Sequence, residues 1–111
     1  MNPPNTSVGE RAQLVLVSDG REYPLGAEPV SVGRELDNRV VVASGQVSPH
    51  HCVLWRTESD CFVRDDRSAE GTFLNDHRIT GDVAVRDGDV IRIGGHTLTV
   101  RASRDVSGPT A

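Results

Sequence analysis

Apolar and polar residues alternate in short runs along most of the chain, and each run ends in turn chemistry. Gln13-Leu-Val-Leu-Val17 reads as a strand, and Asp19-Gly20 behind it reads as a two-residue hairpin turn. Glu22 to Leu25 and Pro29 to Val32 read as the next pair of strands. A polar loop from Arg34 to Arg39 leads into Val40-Val-Val42. Further strands are predicted at His51 to Arg56, Cys61 to Asp65, Thr72 to Leu74 and His77 to Ile79. The chain closes with Val83 to Val85, Asp87-Gly88, Val90 to Ile93, Gly94-Gly95 and Thr97 to Arg101. No window repeats apolar residues at i, i+3, i+4 and i+7, so no amphipathic helix is expected. Closely spaced short strands in 111 residues predict an all-β fold, a β-sandwich.

Residues 1–11 and 103–111 are polar and aperiodic, and read as flexible tails around a single domain at 12–102. Thr6, in the first tail, raises the idea of a phosphorylated tail occupying the domain's own site. No apolar run approaches the ~18 residues of a membrane span. No secretory leader pattern is visible at the N-terminus. Cys52 and Cys61 fall at different distances from a turn near Glu58-Ser59-Asp60, so they do not face each other. Free buried thiols in a cytoplasmic protein are the expectation.

Charge sharpens the picture. All 12 basic side chains are Arg, set against 16 carboxylates, for a net charge of −4. That balance argues against naked nucleic acid or an anionic membrane as partner. An arginine fork nevertheless suits a single planar or tetrahedral anion. In a sandwich, function sits in end loops, and three loops are richer than their turns require: Gly33-Arg34 to Arg39, Ser44 to His51, and Arg67 to Thr72.

Those loops carry a resemblance. Gly33-Arg34, Ser48-Pro-His-His51, Ser68-Ala-Glu-Gly71-Thr72-Phe-Leu-Asn75 and Asp87-Gly-Asp-Val-Ile-Arg-Ile-Gly94 look like the forkhead-associated (FHA) domain. Each motif alone arises often by chance, but order and spacing match over roughly residues 13 to 101. The resemblance implies an eleven-stranded β-sandwich with recognition loops at one end, binding phosphothreonine in a partner segment. Members act downstream of Ser/Thr kinases, and bacterial ones often regulate metabolism, secretion or envelope proteins. It further implies Arg34 as main phosphate donor and the Ser48 hydroxyl as a second. Gly33, His51, Gly71 and Asn75 become structural support, with His51 tying the loops together and Asn75 bonding backbone beside Gly71. The other phosphopeptide-facing positions are Pro49, Ala69 and Glu70, and all three depart from the family pattern. Pro49 lacks an N–H, Ala69 lacks a hydroxyl, and Glu70 replaces an Asn that both donates and accepts. Weaker or differently selective phosphopeptide binding follows. The alternative is a degenerate FHA-like domain that binds protein without phosphate.

Other chemistries are weaker. Ser48 and His51 resemble half of a nucleophile–base pair, but no nucleophile elbow or third member accompanies them, so no enzyme is expected. His50-His51-Cys52 invites a metal, yet at most His50 and Cys52 share a side, and neither metal nor cofactor is expected. Trp55, Phe62 and Phe73 are too scattered for base stacking and read as core or sheet-face residues. Asp65-Asp66 reads as a strand-end or turn pair. A monomer is expected.

Overall fold

The computed structural model describes residues 13–58 and 60–103, so residues 1–12, with Thr6, residue 59 and residues 104–111 lie outside the described residues. Its strands are β1 (Leu14–Ser18), β2 (Arg21–Pro24), β3 (Val30–Gly33), β4 (Val40–Val41), β5 (Cys52–Arg56) and β6 (Cys61–Asp65). β7 (Thr72–Leu74), β8 (His77–Arg78), β9 (Val83–Val85), β10 (Val90–Ile93) and β11 (His96–Ala102) complete the eleven. No helix occurs among the described residues. One sheet has the order β2-β1-β11-β10-β7-β8, the other β4-β3-β5-β6-β9.

Alternation decides what lies between the sheets. Leu16, Ile91, Ile93, Leu98 and Val100 from the first sheet meet Val30, Val32, Leu54 and Val63 from the second in one buried cluster. Outward positions differ. Trp55 stacks on Phe62 with centroids 5.7 Å apart, Arg64 lies over Trp55, and Phe73 lies under Arg92. The aromatics are therefore sheet-face residues in two separate places. Cys52 and Cys61 are free and buried. They sit at opposite ends of the β5–β6 ladder, paired with Asp65 and Arg56 respectively.

Ser18 pairs with Arg21 across the Asp19-Gly20 turn, where both residues have positive φ, 49° and 79°. That is the conformation which makes Asp-Gly favourable in a tight hairpin. The expected pairing of residues 22–25 with 29–32 does not occur. β2 pairs with β1, whereas β3 pairs with β5 and, in parallel, with β4. Leu25 is fully buried and still bonds Leu14 O through its N–H at 3.0 Å. From that anchor the chain crosses between the layers, so the two strands fall in different sheets.

The registers sort the connections into two ends. Gly33, Cys52, Asp65, Thr72 and Ile93 lie toward one end, with the loops 34–39, 42–51, 66–71 and 94–95 beyond them. The turns 75–76 and 86–89 lie at the other end. Gln13 O accepts the Ser103 N–H there, at 2.7 Å, so the first and last described residues lie away from the clustered loops.

Candidate functional site

Two backbone segments set the first half of the site. At the end of β3 the Arg34 N–H donates to Ser48 O (3.0 Å) and the Glu35 N–H to Pro49 O (3.2 Å). Only a residue without Cβ permits this approach at position 33, because a Cβ there would stand 2.1 Å from Pro49 O. Asn38, 6% exposed, locks the arrangement. Its Nδ2 donates to Glu35 O at 2.8 Å and to Pro49 O at 2.7 Å. Two carbonyl acceptors fix which end of the amide faces them. The half-buried Arg34 donates from Nη1 to Val47 O at 2.9 Å. Its other guanidinium donors have no acceptor among the described residues.

His51 joins this half to the third loop. Its own N–H bonds Val32 O at 2.8 Å, and its side chain is fully buried. Nδ1 accepts the Ser48 N–H at 3.1 Å, and Nε2 lies 2.8 Å from Gly71 O. An amide can only donate and a carbonyl can only accept, so the ring is neutral with its proton on Nε2. Both nitrogens are thereby engaged with backbone. No lone pair remains to take the Ser48 hydroxyl proton, and the two residues are not a nucleophile–base pair. Instead Ser48 Oγ accepts the Ala69 N–H at 3.0 Å, which leaves the hydroxyl proton able to donate.

The third loop is folded around Asp65, the last residue of β6. Its Oδ1 accepts from Ser68 Oγ and from Thr72 Oγ1, the latter at 2.7 Å, and Oδ2 accepts the Ser68 N–H at 3.1 Å. Burial pushes the Asp65 carboxyl up, but the hydrogen bonds from Ser68 and Thr72 outweigh it and hold the group below the usual carboxylate range. Ser68 Oγ in turn accepts the Gly71 N–H at 2.8 Å. Gly71 has φ +94°, and a Cβ there would meet the Arg78 guanidinium at 2.8 Å. Glu70 is exposed.

The sequence-derived residues Gly33, Arg34, Ser48, Pro49, His51, Ala69, Glu70 and Gly71 are thus brought together on three loops, the middle one bonded to each of the other two. Asn75 is not among them, and its expected role beside Gly71 is overturned. It occupies the β7–β8 turn with φ 49°. There it accepts the Val90 N–H at 3.0 Å and donates to Asp89 Oδ1 at 3.1 Å. β7 carries the chain from Gly71 toward the other end of the sandwich before residue 75 is reached. The pairing of His50 with Cys52 on one side also fails, because β5 starts only at Cys52. His50 is exposed and faces Asp37, 3.0 Å away, while Cys52 is buried in the core. No group of three or more metal-binding side chains occurs among the described residues. Asn38 and Asp65 are the supporting residues that sequence reasoning missed. Asp65 does end a strand, but it also braces the loop, and the hint was its spacing from Ser68 and Thr72.

A family model for the FHA domain matches residues 30–94. The transcriptional regulatory protein EmbR of Mycobacterium tuberculosis is 38% identical over 104 residues, 92% of this chain and 27% of EmbR. The chain therefore spans about a quarter of that relative's length. A solved structure of M. tuberculosis EmbR in complex with a low-affinity phosphopeptide superposes with TM-score 0.78 at 35% identity. It covers 89% of this chain and 28% of that one. A structure described as an analysis of phosphothreonine-dependent FHA domain interactions gives TM-score 0.75 at 28% identity, over 82% of this chain and 97% of that one.

Proposed function

This chain belongs to the FHA domain family, and from that premise we propose that its loop end reads phosphothreonine in a partner segment. The observation that carries the reading is the convergence of Arg34 and Ser48. The Arg34 backbone is bonded to Ser48 O, the Ser48 hydroxyl retains a proton to give, and the Arg34 guanidinium retains most of its donors. A phosphorylated side chain near pH 7 brings close to two negative charges and three acceptor oxygens. Hydrogen bonds to charged groups contribute roughly 1.5–3 kcal/mol each. A few of them account for much of the ~8 kcal/mol of a micromolar complex. Both donors are anchored before the ligand arrives, which lowers the ordering cost of binding.

Pro49, Ala69 and Glu70 line the peptide-facing rim in this reading, with Gly33, His51 and Gly71 as support. The domain of residues 12–102 acts as a non-enzymatic, monomeric signalling module in the cytoplasm, downstream of a Ser/Thr kinase. Titration of the chain with one peptide in its phosphothreonine and unphosphorylated forms tests this, beside the Arg34→Ala variant. Phosphate-dependent binding that Arg34→Ala abolishes is expected. Equal binding of both peptide forms would favour a phosphate-independent protein contact and overturn the proposal.

A further inference from the structure

We infer that Glu70 makes this site select phosphothreonine segments carrying Lys or Arg next to the phosphoresidue, an inference that rests on the phosphothreonine reading above. Glu70 is exposed, yet its backbone position is tightly defined. On one side the Ala69 N–H is bonded to Ser48 Oγ at 3.0 Å. On the other, Gly71 O lies 2.8 Å from His51 Nε2, and the Gly71 N–H is bonded to Ser68 Oγ at 2.8 Å. Glu70 thus lies between two residues tethered to the Ser48–His51 segment, and its backbone is directly next to the Ala69 amide that bonds the Ser48 hydroxyl.

No ion pair cancels its charge among the described residues. Glu70 forms no hydrogen bond or ion pair among the described residues. The cationic groups on the same rim are Arg78, whose guanidinium packs against Gly71, and Arg67, exposed with φ 58°. Neither closes a salt bridge to it. The carboxylates of that rim are Asp65, which is occupied by Ser68 and Thr72, and Asp66, which is exposed. A carboxylate in this place repels a phosphate dianion and cannot donate to the ligand backbone as an amide would. A cation on the ligand reverses the sign of that interaction. At a separation of about 6–8 Å near a protein surface, one unit charge changes affinity by about fivefold. The preference is for local positive charge on the partner, and it coexists with the phosphate contact because Arg34 and Glu70 sit on different loops.

Three phosphothreonine peptides that differ only in having Lys, Ala or Glu at one position next to the phosphoresidue test the inference by titration at low salt. The wild-type chain should bind in the order Lys, Ala, Glu, with about fivefold between steps. Glu70→Gln should bind the Ala-flanked peptide up to about tenfold more tightly and flatten the Lys–Ala difference, and Glu70→Lys should invert the order. Raising salt to about 0.5 M should shrink the wild-type preference. An Ala-flanked peptide that binds with no gain from Lys, or a Lys preference that survives in Glu70→Gln, overturns the inference and leaves the phosphothreonine reading standing. Absence of phosphate-dependent binding by all three peptides, in both wild type and Glu70→Gln, overturns both.

Discussion

Gly33 and Pro49 approach so closely that a Cβ on residue 33 would stand 2.1 Å from the Pro49 carbonyl oxygen. This contact lets β3 run directly into the hydrogen bonds from Arg34 N to Ser48 O and from Glu35 N to Pro49 O. Gly33 does not have the left-handed φ of Gly71, so the demand for glycine is steric. Gly33→Ala must push the 48–49 backbone away and break the Asn38 bond to Pro49 O. A loss of about 1–3 kcal/mol is expected, read as a melting temperature lower by roughly 4–8 °C per kcal/mol. Phosphopeptide affinity should fall with it. An unchanged melting temperature would show that the segment retreats without strain.

His51 is the buried link between the Ser48 and Gly71 loops, and its removal has two separable effects. His51→Ala leaves the Ser48 N–H and Gly71 C=O without their partners and opens a cavity. The expected cost is about 2–5 kcal/mol by urea unfolding. Below the global transition, the Ser48 amide should also exchange its hydrogen faster, because its acceptor has gone. His51→Gln, which keeps an acceptor and a donor on one side chain, should recover part of both effects. Protection of the Ser48 amide that is unchanged in His51→Ala would refute the tether.

Strand positions were legible because alternation reports which side chain faces a core, and the observed strands start and end within a residue or so of the expected ones. Pairing was not legible in the same way. Leu25 and Pro29 say nothing about which layer each joins, so β2 and β3 read as neighbours although they lie in different sheets. The site divides similarly. Gly33, Arg34, Ser48 and His51 stand out as motif residues, because their roles depend on spacing along the chain. Asn38 does not, since its importance lies in a bond to the carbonyl of Pro49, and carbonyls carry no sequence signature.

Asp65 gives a prediction in pH. Its carboxyl is held below the usual range in the folded state, against about 3.9 when unfolded. The unfolded chain therefore binds the proton first as pH falls. The contribution of Asp65 is fully present above the unfolded value and is lost as pH drops through the lower folded value. Asp65→Asn cannot titrate. The stability gap between wild type and this variant, measured by urea unfolding from pH 6 to pH 2.5, should be constant down to about pH 5 and then narrow. A gap that stays constant to the lowest pH would place the stabilising hydrogen bonds elsewhere.

Asn75 separates stability from recognition. The family resemblance suggested a place beside Gly71, but the turn between β7 and β8 puts it at the other end of the sandwich. There it takes up a left-handed φ of 49° that Asn tolerates better than most residues. Its side chain holds the Val90 N–H at 3.0 Å and Asp89 Oδ1 at 3.1 Å, and its own N–H bonds Val90 O at 2.8 Å. These bonds join the β7–β8 turn to the start of β10, which is what keeps β7 in register with Ile91 and Ile93. Asn75→Ala removes both side-chain bonds and leaves an alanine in a conformation it resists, for an expected loss of about 1–3 kcal/mol. Asn75→Gly relieves the backbone while losing the same bonds, so it should cost less. Phosphothreonine-peptide affinity, measured at a temperature where each variant is fully folded, should remain within about twofold of wild type in both. A large fall in affinity without a matching fall in stability would mean that Asn75 acts on the recognition loops after all, through the three-residue strand that connects them.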